Sequence, residues 1–352
     1  MSQSFSASRL SRQSILLLLI SLLIATSGCG LFVKPKKVQV PQLLKPLAEA
    51  DKPLLLNEIN RLTGVQSVQG KVDIQFEDTS FAESGIVEKY RQTEGSLVLQ
   101  RPGKIYLGIQ FSFVDIAQMS SDGERFRVAV LRGDEKYKRF VKGTNSAVYP
   151  KLEESVAPAN PKAPKKPNDT TEKEAVSALS NLRPQHLTDA LMIQPAGDPA
   201  LVYVKSEFFQ EESDSNPQAK KGARVVRGYY LLEEFTQPSA GESRLVRRFW
   251  FDRVNSIRLA RVQFFDSQGL LLTDVSYSNE TSFGEGSKYR LPSRIEITRP
   301  HDQYKLTISY QAPATVGVDK EFRPEAFILE NKGELPEVDL DERLRNRTNP
   351  SP

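Results

Sequence analysis

The stretch KIYLGIQFSFV, Lys104 to Val114, sets Ile105, Leu107, Ile109, Phe111 and Phe113 in strict alternation with Tyr106, Gly108, Gln110 and Ser112. Successive side chains of an extended chain point to opposite faces, so this spacing predicts a β-strand with one buried face. The same period continues in both directions. Before it, EGSLVLQRPGK gives a strand and a Pro102-Gly103 turn, and VQGKVDIQF alternates through Val72, Ile74 and Phe76. After it come RFRVAV and EKYKRFVKG, introduced by Asp122-Gly123 and Gly133-Asp134 turns. Strands resume at ALVYVKSEFF, RVVRGYYLLEEF and SRLVRRFWFD, and SIRLARVQFFDSQGLLLTDVSYS reads as a hairpin turning at Asp266 to Gly269. YRLPSRIEITRP and YKLTISY complete a meander of about eleven antiparallel strands. The expected fold class is mainly β with a few helices.

Helical spacing occurs at two places. In DKPLLLNEINRLTG, Asp51 is placed as N-cap with Pro53 in the first turn. Leu55, Leu56, Ile59 and Leu62 share one face, and Gly64 ends the run. AVSALSNLRPQHLTDALMI reads as two short helical pieces broken at Pro184. Residues 150–176 hold proline, alanine, lysine and acids with almost no large apolar side chain. They bury too little to offset their ordering entropy and are expected to be a disordered insertion within one domain. That domain is expected to span residues 51–330, followed by a loose polar tail over residues 331–352.

The amino terminus has a different logic. Residues 1–14 carry Arg9 and Arg12 and no acid, Ile15 to Ala25 is an apolar run, and Thr26, Ser27 and Gly28 are small. These are the parts of a secretory signal peptide, expected to cover residues 1–28. Cys29, the only cysteine of the chain, follows the small residues directly. Small-small-Gly-Cys resembles the lipobox of bacterial lipoproteins, although Thr26 stands where that motif usually has Leu. The resemblance implies that the Cys29 thiol becomes an acylated first residue, with Gly30 after it implying export to the outer membrane, facing the periplasm. Two or three acyl chains, palmitate among them, make a stable anchor at about 0.8 kcal/mol per buried methylene. The competing reading is a retained helix, since the uncharged run from Gln13 to Val33 reaches the ~20 residues a bilayer requires. Residues 29–50, with three prolines and four lysines after Gly30, read as a tether to the membrane.

Composition narrows the function. Lys and Arg number 48 against 44 Asp and Glu, and two of the four surplus charges belong to Arg9 and Arg12. Without a basic-aromatic patch, nucleic acid is not an expected partner. No thiol beyond Cys29 is available for a disulfide. His186 and His301 are the only histidines, too few for a zinc site, and no metal or cofactor is expected. His301-Asp302 reads as a solvated turn. No Gly-x-Ser-x-Gly elbow or phosphate-binding loop occurs, so no catalytic residue is expected and the chain reads as non-enzymatic.

GSLVLQRPGKIYLGI with SDGERF after it, and FWFDRVNSIRLARVQFFDSQGLLLTDVSYSN with YRLPSRIEITRP and YKLTISY after it, together resemble the outer-membrane lipoprotein carrier and receptor superfamily, the LolA/LolB fold. The resemblance covers roughly residues 50–145 and 200–330. It implies an unclosed antiparallel β-barrel of about eleven strands with a helical lid, and acyl chains held between lid and wall. Hydrocarbon facing water costs about 25 cal/mol per Å², so such a wall has to be covered or filled.

The candidate acyl-cavity lining is Ile105, Leu107, Ile109, Phe111 and Phe113, or the opposite face of that strand, together with Trp250. In sequence, a cavity lining and a plain core look alike. The expected function is binding of the acyl chains of a lipoprotein or lipid, with no bond broken. The alternative is an envelope scaffold or stress sensor that binds a protein partner, with residues 150–176 as the docking segment.

Overall fold

Ser112 and Phe113 both take left-handed backbone conformations, with φ of 48° and 68°, and this two-residue turn divides the decisive stretch. The structure is a computed structural model describing residues 40–79, 87–132, 135, 138–147, 149, 182–237, 241–286 and 289–348. Strand β5 (Lys104–Phe111) stops at the turn, and β6 (Val114–Asp122) returns beside it with Phe111 opposite Val114. Positive φ at both central residues gives the primed turn whose twist matches that of the flanking strands. Phe113, expected as the fifth member of the buried row, is instead 97% exposed at the hairpin tip. The sequence reading did not include β6. Its buried positions include Ser120 and Ser121, and their hydroxyls mask the apolar alternation.

The remaining strands are β1 (Gln42–Leu43), β2 (Ser67–Asp78), β3 (Glu88–Lys89), β4 (Thr93–Gln100), β7 (Arg125–Val130), β8 (Arg139–Thr144), β9 (Leu201–Ser213), β10 (Arg224–Thr236) and β11 (Leu245–Asp252). After them come β12 (Arg258–Phe265), β13 (Leu271–Phe283), β14 (Tyr289–Arg299), β15 (Tyr304–Tyr310), β16 (Gly317–Val318) and β17 (Glu337–Asp339). The helices are α1 (Lys52–Thr63), α2 (Pro184–Leu191) and α3 (Leu340–Thr348). The strands exceed the expected eleven for two reasons: β6 was hidden, and segments of two or three residues are too short to show a period.

From β9 to β15 each strand pairs antiparallel with the next. β15 then pairs with β2, so the first long strand of the chain sits in the middle of the sheet. The other edge of β2 takes β4, and β5, β6, β7 and β8 follow in order. β17 lies parallel to β8 at the far end. No pairing joins β8 to β9 among the described residues, so the wall is unclosed, as expected. β8 and β9, the strands on either side of the charged insertion in sequence, thus lie toward opposite ends of the sheet, with β17 outermost beside β8.

One apolar cluster runs along the inner face and takes in Val72, Leu97, Leu107, Phe249, Val275, Ile297 and Leu306 together with the inward residues of α1 and α2. The close approach of β4 to its neighbours depends on Gly95, where an added Cβ would lie 2.7 Å from Ile74 Cδ1 and 3.2 Å from Gly108 O.

Both ends of the domain are more ordered than the sequence suggests. Toward the amino end, the segment read as the last part of a tether lies on the sheet: Leu44 N–H donates to Val226 O at 2.9 Å, and Ala48 N–H to Arg253 O at 2.8 Å. At the carboxyl end, the tail expected to be loose forms β17 and α3. Lys142 Nζ sits 2.9 Å from Glu337 Oε2, Thr144 Oγ1 donates to Asp341 at 2.8 Å, and Leu340 is buried. These contacts are long-range, so polar composition alone gave no sign of them. The leader, Cys29 and residues 150–176 lie outside the described residues. Among the described residues, no helix is long and apolar enough to cross a membrane.

Candidate functional site

The inner face of the wall is covered by α1 and by α2 with its following loop. α1 starts where its sequence requires. The Asp51 carboxylate accepts Leu54 N–H at 3.0 Å, and Pro53 occupies a first-turn position where no donor is missed. Leu55, Ile59 and Leu62 are buried against the sheet, as the stripe predicts. A carboxylate, Glu58, is buried with them. It takes Arg61 at 2.8 and 2.9 Å, Arg258 Nη1 at 3.1 Å and Leu259 N–H at 3.3 Å, and so pins α1 to β12. Arg61 and Arg258 also reach Glu280 of β13, at 3.2 and 3.4 Å.

α2 begins at Pro184, the residue expected to break the helical stretch. Leu187 and Ala190 face the core. Its polar residues also point at the sheet: His186 Nδ1 is 3.0 Å from Tyr304 Oη, and Ala190 O accepts Tyr277 O–H at 2.8 Å. Burial, reinforced by the Arg299 and Arg183 charges, drives the His186 imidazole well below its ordinary range. Burial pushes the Asp189 carboxyl up to about 6, even with Arg299 and Arg247 nearby. The Tyr277 and Tyr304 hydroxyls are held far above the normal phenol range by the same loss of water.

The loop after α2 is held by charge-assisted bonds. Arg101 Nη2 donates to Ile193 O at 2.9 Å, and Arg247 donates to Gln194 O and Pro195 O at 3.1 and 3.0 Å. Arg247 is itself paired with Glu234 through two bonds of 2.7 Å, both side chains being buried. Asn60 of α1 closes the arrangement, giving its amide to Ala196 O and accepting Ala196 N–H, both at 3.1 Å. None of these anchors shows in a hydropathy pattern. The one sequence signal was the presence of charged residues on faces otherwise apolar.

Between lid and wall, where α1 meets the α2 loop, lies an apolar void of about 40 Å³ lined by Leu62, Val65, Met192, Ile193, Tyr277 and Phe283, among others. That is room for one or a few waters, an order of magnitude short of an acyl chain. Ile105, Leu107 and Ile109 are fully buried in the packed core, and Phe111 packs at its margin beneath the Arg91 guanidinium, 4.6 Å from the ring centre.

Trp250 is a second correction to the expected lining. Phe249 and Phe251 point inward, so Trp250 lies on the outer face with Tyr229 and Leu231, its indole N–H bonded to Gln263 Oε1 at 3.0 Å and Arg261 over its ring. There it borders a polar depression of about 380 Å³ whose arginines, Arg61, Arg227, Arg258 and Arg261, all have acidic partners. His301 is an exposed turn residue, as its sequence context indicated. The structure thus brings Ile105, Leu107, Ile109 and Phe111 together on the inner side and leaves Phe113 and Trp250 elsewhere.

The chain is similar in fold to three solved structures. One is a LolA superfamily protein from Nitrosomonas europaea, 11% identical, with 80% of this chain and 99% of that one covered at a TM-score of 0.39. A second is a DUF1329 family protein from Desulfovibrio piger, also 11% identical, covering 79% of this chain and 95% of that one at 0.36. The third is an outer membrane lipoprotein-sorting protein domain from Vibrio parahaemolyticus, 11% identical, covering 80% and 96% at 0.36. No protein-family model and no curated protein matches the chain.

Proposed function

We propose that the protein binds the acyl chains of a lipoprotein or lipid between its open wall and the α1–α2 lid, without catalysing a reaction, while anchored to the outer membrane through acylated Cys29. The observation that carries this reading is how the lid is attached. Its underside is largely apolar, but it is fixed to the sheet by discrete polar latches at Glu58, Arg101 and Arg247 rather than by strand closure, and Asn60 joins its two parts. Latches of this kind can open and re-form with the wall intact. Because the void is small, entry requires displacement of α2 and its loop. Each methylene then buried returns about 0.8 kcal/mol, so a chain of about 16 carbons can offset the exposure of Leu187, Ala190, Met192 and Ile193.

The test uses the full chain carrying Cys29→Ser, so that no lipid is attached covalently. Organic extracts of the purified protein are analysed by mass spectrometry for acyl lipid, and uptake of a fluorescent diacylated lipopeptide is followed by emission shift. Stoichiometric lipid and saturable uptake are expected. A protein that is lipid-free in every preparation and inert to the lipopeptide contradicts the proposal.

A further inference from the structure

β9 is a thirteen-residue strand paired on one side only among the described residues. Backbone bonds of its neighbour fix which way its polar groups point. Val226 O and Gly228 O of β10 accept Leu44 N–H and Arg253 N–H at 2.9 and 3.1 Å, and Thr236 N–H donates to Arg244 O at 2.9 Å. These β10 residues turn away from β9. Their register partners Glu211, Phe209 and Leu201 are therefore the non-hydrogen-bonded members of the ladder and turn their own N–H and C=O groups away from β10. By the period of two, Tyr203, Lys205 and Glu207 do the same. The Tyr203 and Glu211 carbonyls are taken at the ends by Lys52 Nζ and Arg224 Nη2, at 3.0 and 3.1 Å. The centre of the edge, Lys205 to Phe209, has no backbone partner on that side among the described residues.

The charges at the centre of this edge are held on the inner side, where Lys205 Nζ lies over the Tyr230 ring at 3.9 Å and donates to Ala50 O, and Glu207 pairs with Arg253 at 2.6 Å, while the apolar side chains stand open. Val202, Val204, Phe208 and Phe209 are exposed by 41, 45, 40 and 48%. The opposite end of the sheet, by contrast, is covered by β17.

The sequence of β9 is complementary to itself. Set antiparallel to a second copy with the two-fold axis at Ser206, Lys205 stands opposite Glu207 of the second copy, Val204 opposite Phe208, and Tyr203 opposite Phe209. Opposite charges and apolar pairs placed directly across from each other are the units that stabilise a sheet. Moving the axis to Lys205 or to Glu207 sets like charges face to face, and moving it to Phe208 sets Val204 against Glu212. We propose that β9 is an isologous dimerisation edge, at which two copies of this chain join antiparallel about Ser206 and continue one sheet into the other.

The register makes a sharp test. Ser206 faces its own copy in a close, non-hydrogen-bonded pair, so Ser206→Cys in a full chain carrying Cys29→Ser supplies one thiol at the axis. Mild oxidation is expected to give a disulfide-linked dimer from Ser206→Cys and none from Phe208→Cys or from the Cys29→Ser parent. Native mass spectrometry from detergent micelles is expected to show two copies for the parent chain and one for Val204→Glu. The double variant Val204→Lys/Phe208→Glu, which restores an opposite pair across the axis, is expected to recover the two-copy species. These exposed positions leave the fold of each copy intact, which circular dichroism checks. A single-copy parent chain, cross-linking at residue 208 in place of 206, or a Val204→Glu variant still fully dimeric would each overturn the proposal.

Discussion

Asp189 sits on the inner side of α2 with no hydrogen-bond partner among the described residues, and replacing it by Asn is expected to make the protein more stable at neutral pH. Burial raises its carboxyl from 3.8 to about 6, against the opposing pull of the Arg299 and Arg247 charges. Below pH 3.8 the folded and unfolded chains both hold the proton. As pH rises from 3.8 to about 6, the unfolded chain releases it while the folded chain retains it, and stability falls through that window. Above the window the loss is complete, and a shift of this size corresponds to about 3 kcal/mol. Asn removes the charge at nearly constant volume. Arg299 keeps Asp302 at 2.7 Å and Arg247 keeps Glu234, so no cation is left unpaired. Urea unfolding of parent and Asp189→Asn chains at a series of pH values is the assay. The gain should approach about 3 kcal/mol at pH 7 and fade toward nothing by about pH 4. His186, one turn earlier, acts in the opposite direction: its lowered pKa gives stability that is present above the ordinary 6.5 and is lost as pH falls below it. The variant should therefore lose stability on acidification more steeply than the parent. An equal gain at pH 4 and pH 7, or a loss at pH 7, would refute the reasoning.

Arg247→Met leaves the Glu234 carboxylate buried with only Tyr203 O–H, at 2.8 Å, and should cost about 3–5 kcal/mol in urea unfolding, most of it recovered in Arg247→Met/Glu234→Leu. Gly95→Ala forces a Cβ against Ile74 and the β5 backbone and should cost about 1–3 kcal/mol by the same measurement. Asn60→Ala removes both bonds to Ala196, each worth about 1 kcal/mol, and should speed lipopeptide uptake up to about thirtyfold in a stopped-flow trace without changing the amount bound at saturation.

How much of this was legible in the sequence depended on the range of the interaction. Period-two runs such as Ile105–Leu107–Ile109 and the α1 stripe are local consequences of burial on one face, and they located most strands and the first helix. β6 escaped because Ser120 and Ser121 are buried, and Phe113 was misplaced because a turn can interrupt an alternation without breaking it on paper. The inward direction of Phe249 and Phe251, and hence the outward direction of Trp250, depends on how β11 is seated between β10 and β12. The lid anchors join residues more than a hundred positions apart, Asn60 to Ala196 and Glu58 to Arg258, and local spacing carries no trace of them. Whether an apolar wall is filled or hollow is likewise a property of what covers it.

The central position of β2 has a consequence for how the molecule is made. One side of that strand waits for β15, whose Tyr310 lies opposite Val72, so nearly the whole chain has to emerge before that side of β2 is covered. Until then β2 presents bare backbone to its surroundings, an edge open to pairing with other chains. A chain cut short before Tyr304 loses more than its last strands, because it leaves an unsealed seam through the middle of the sheet.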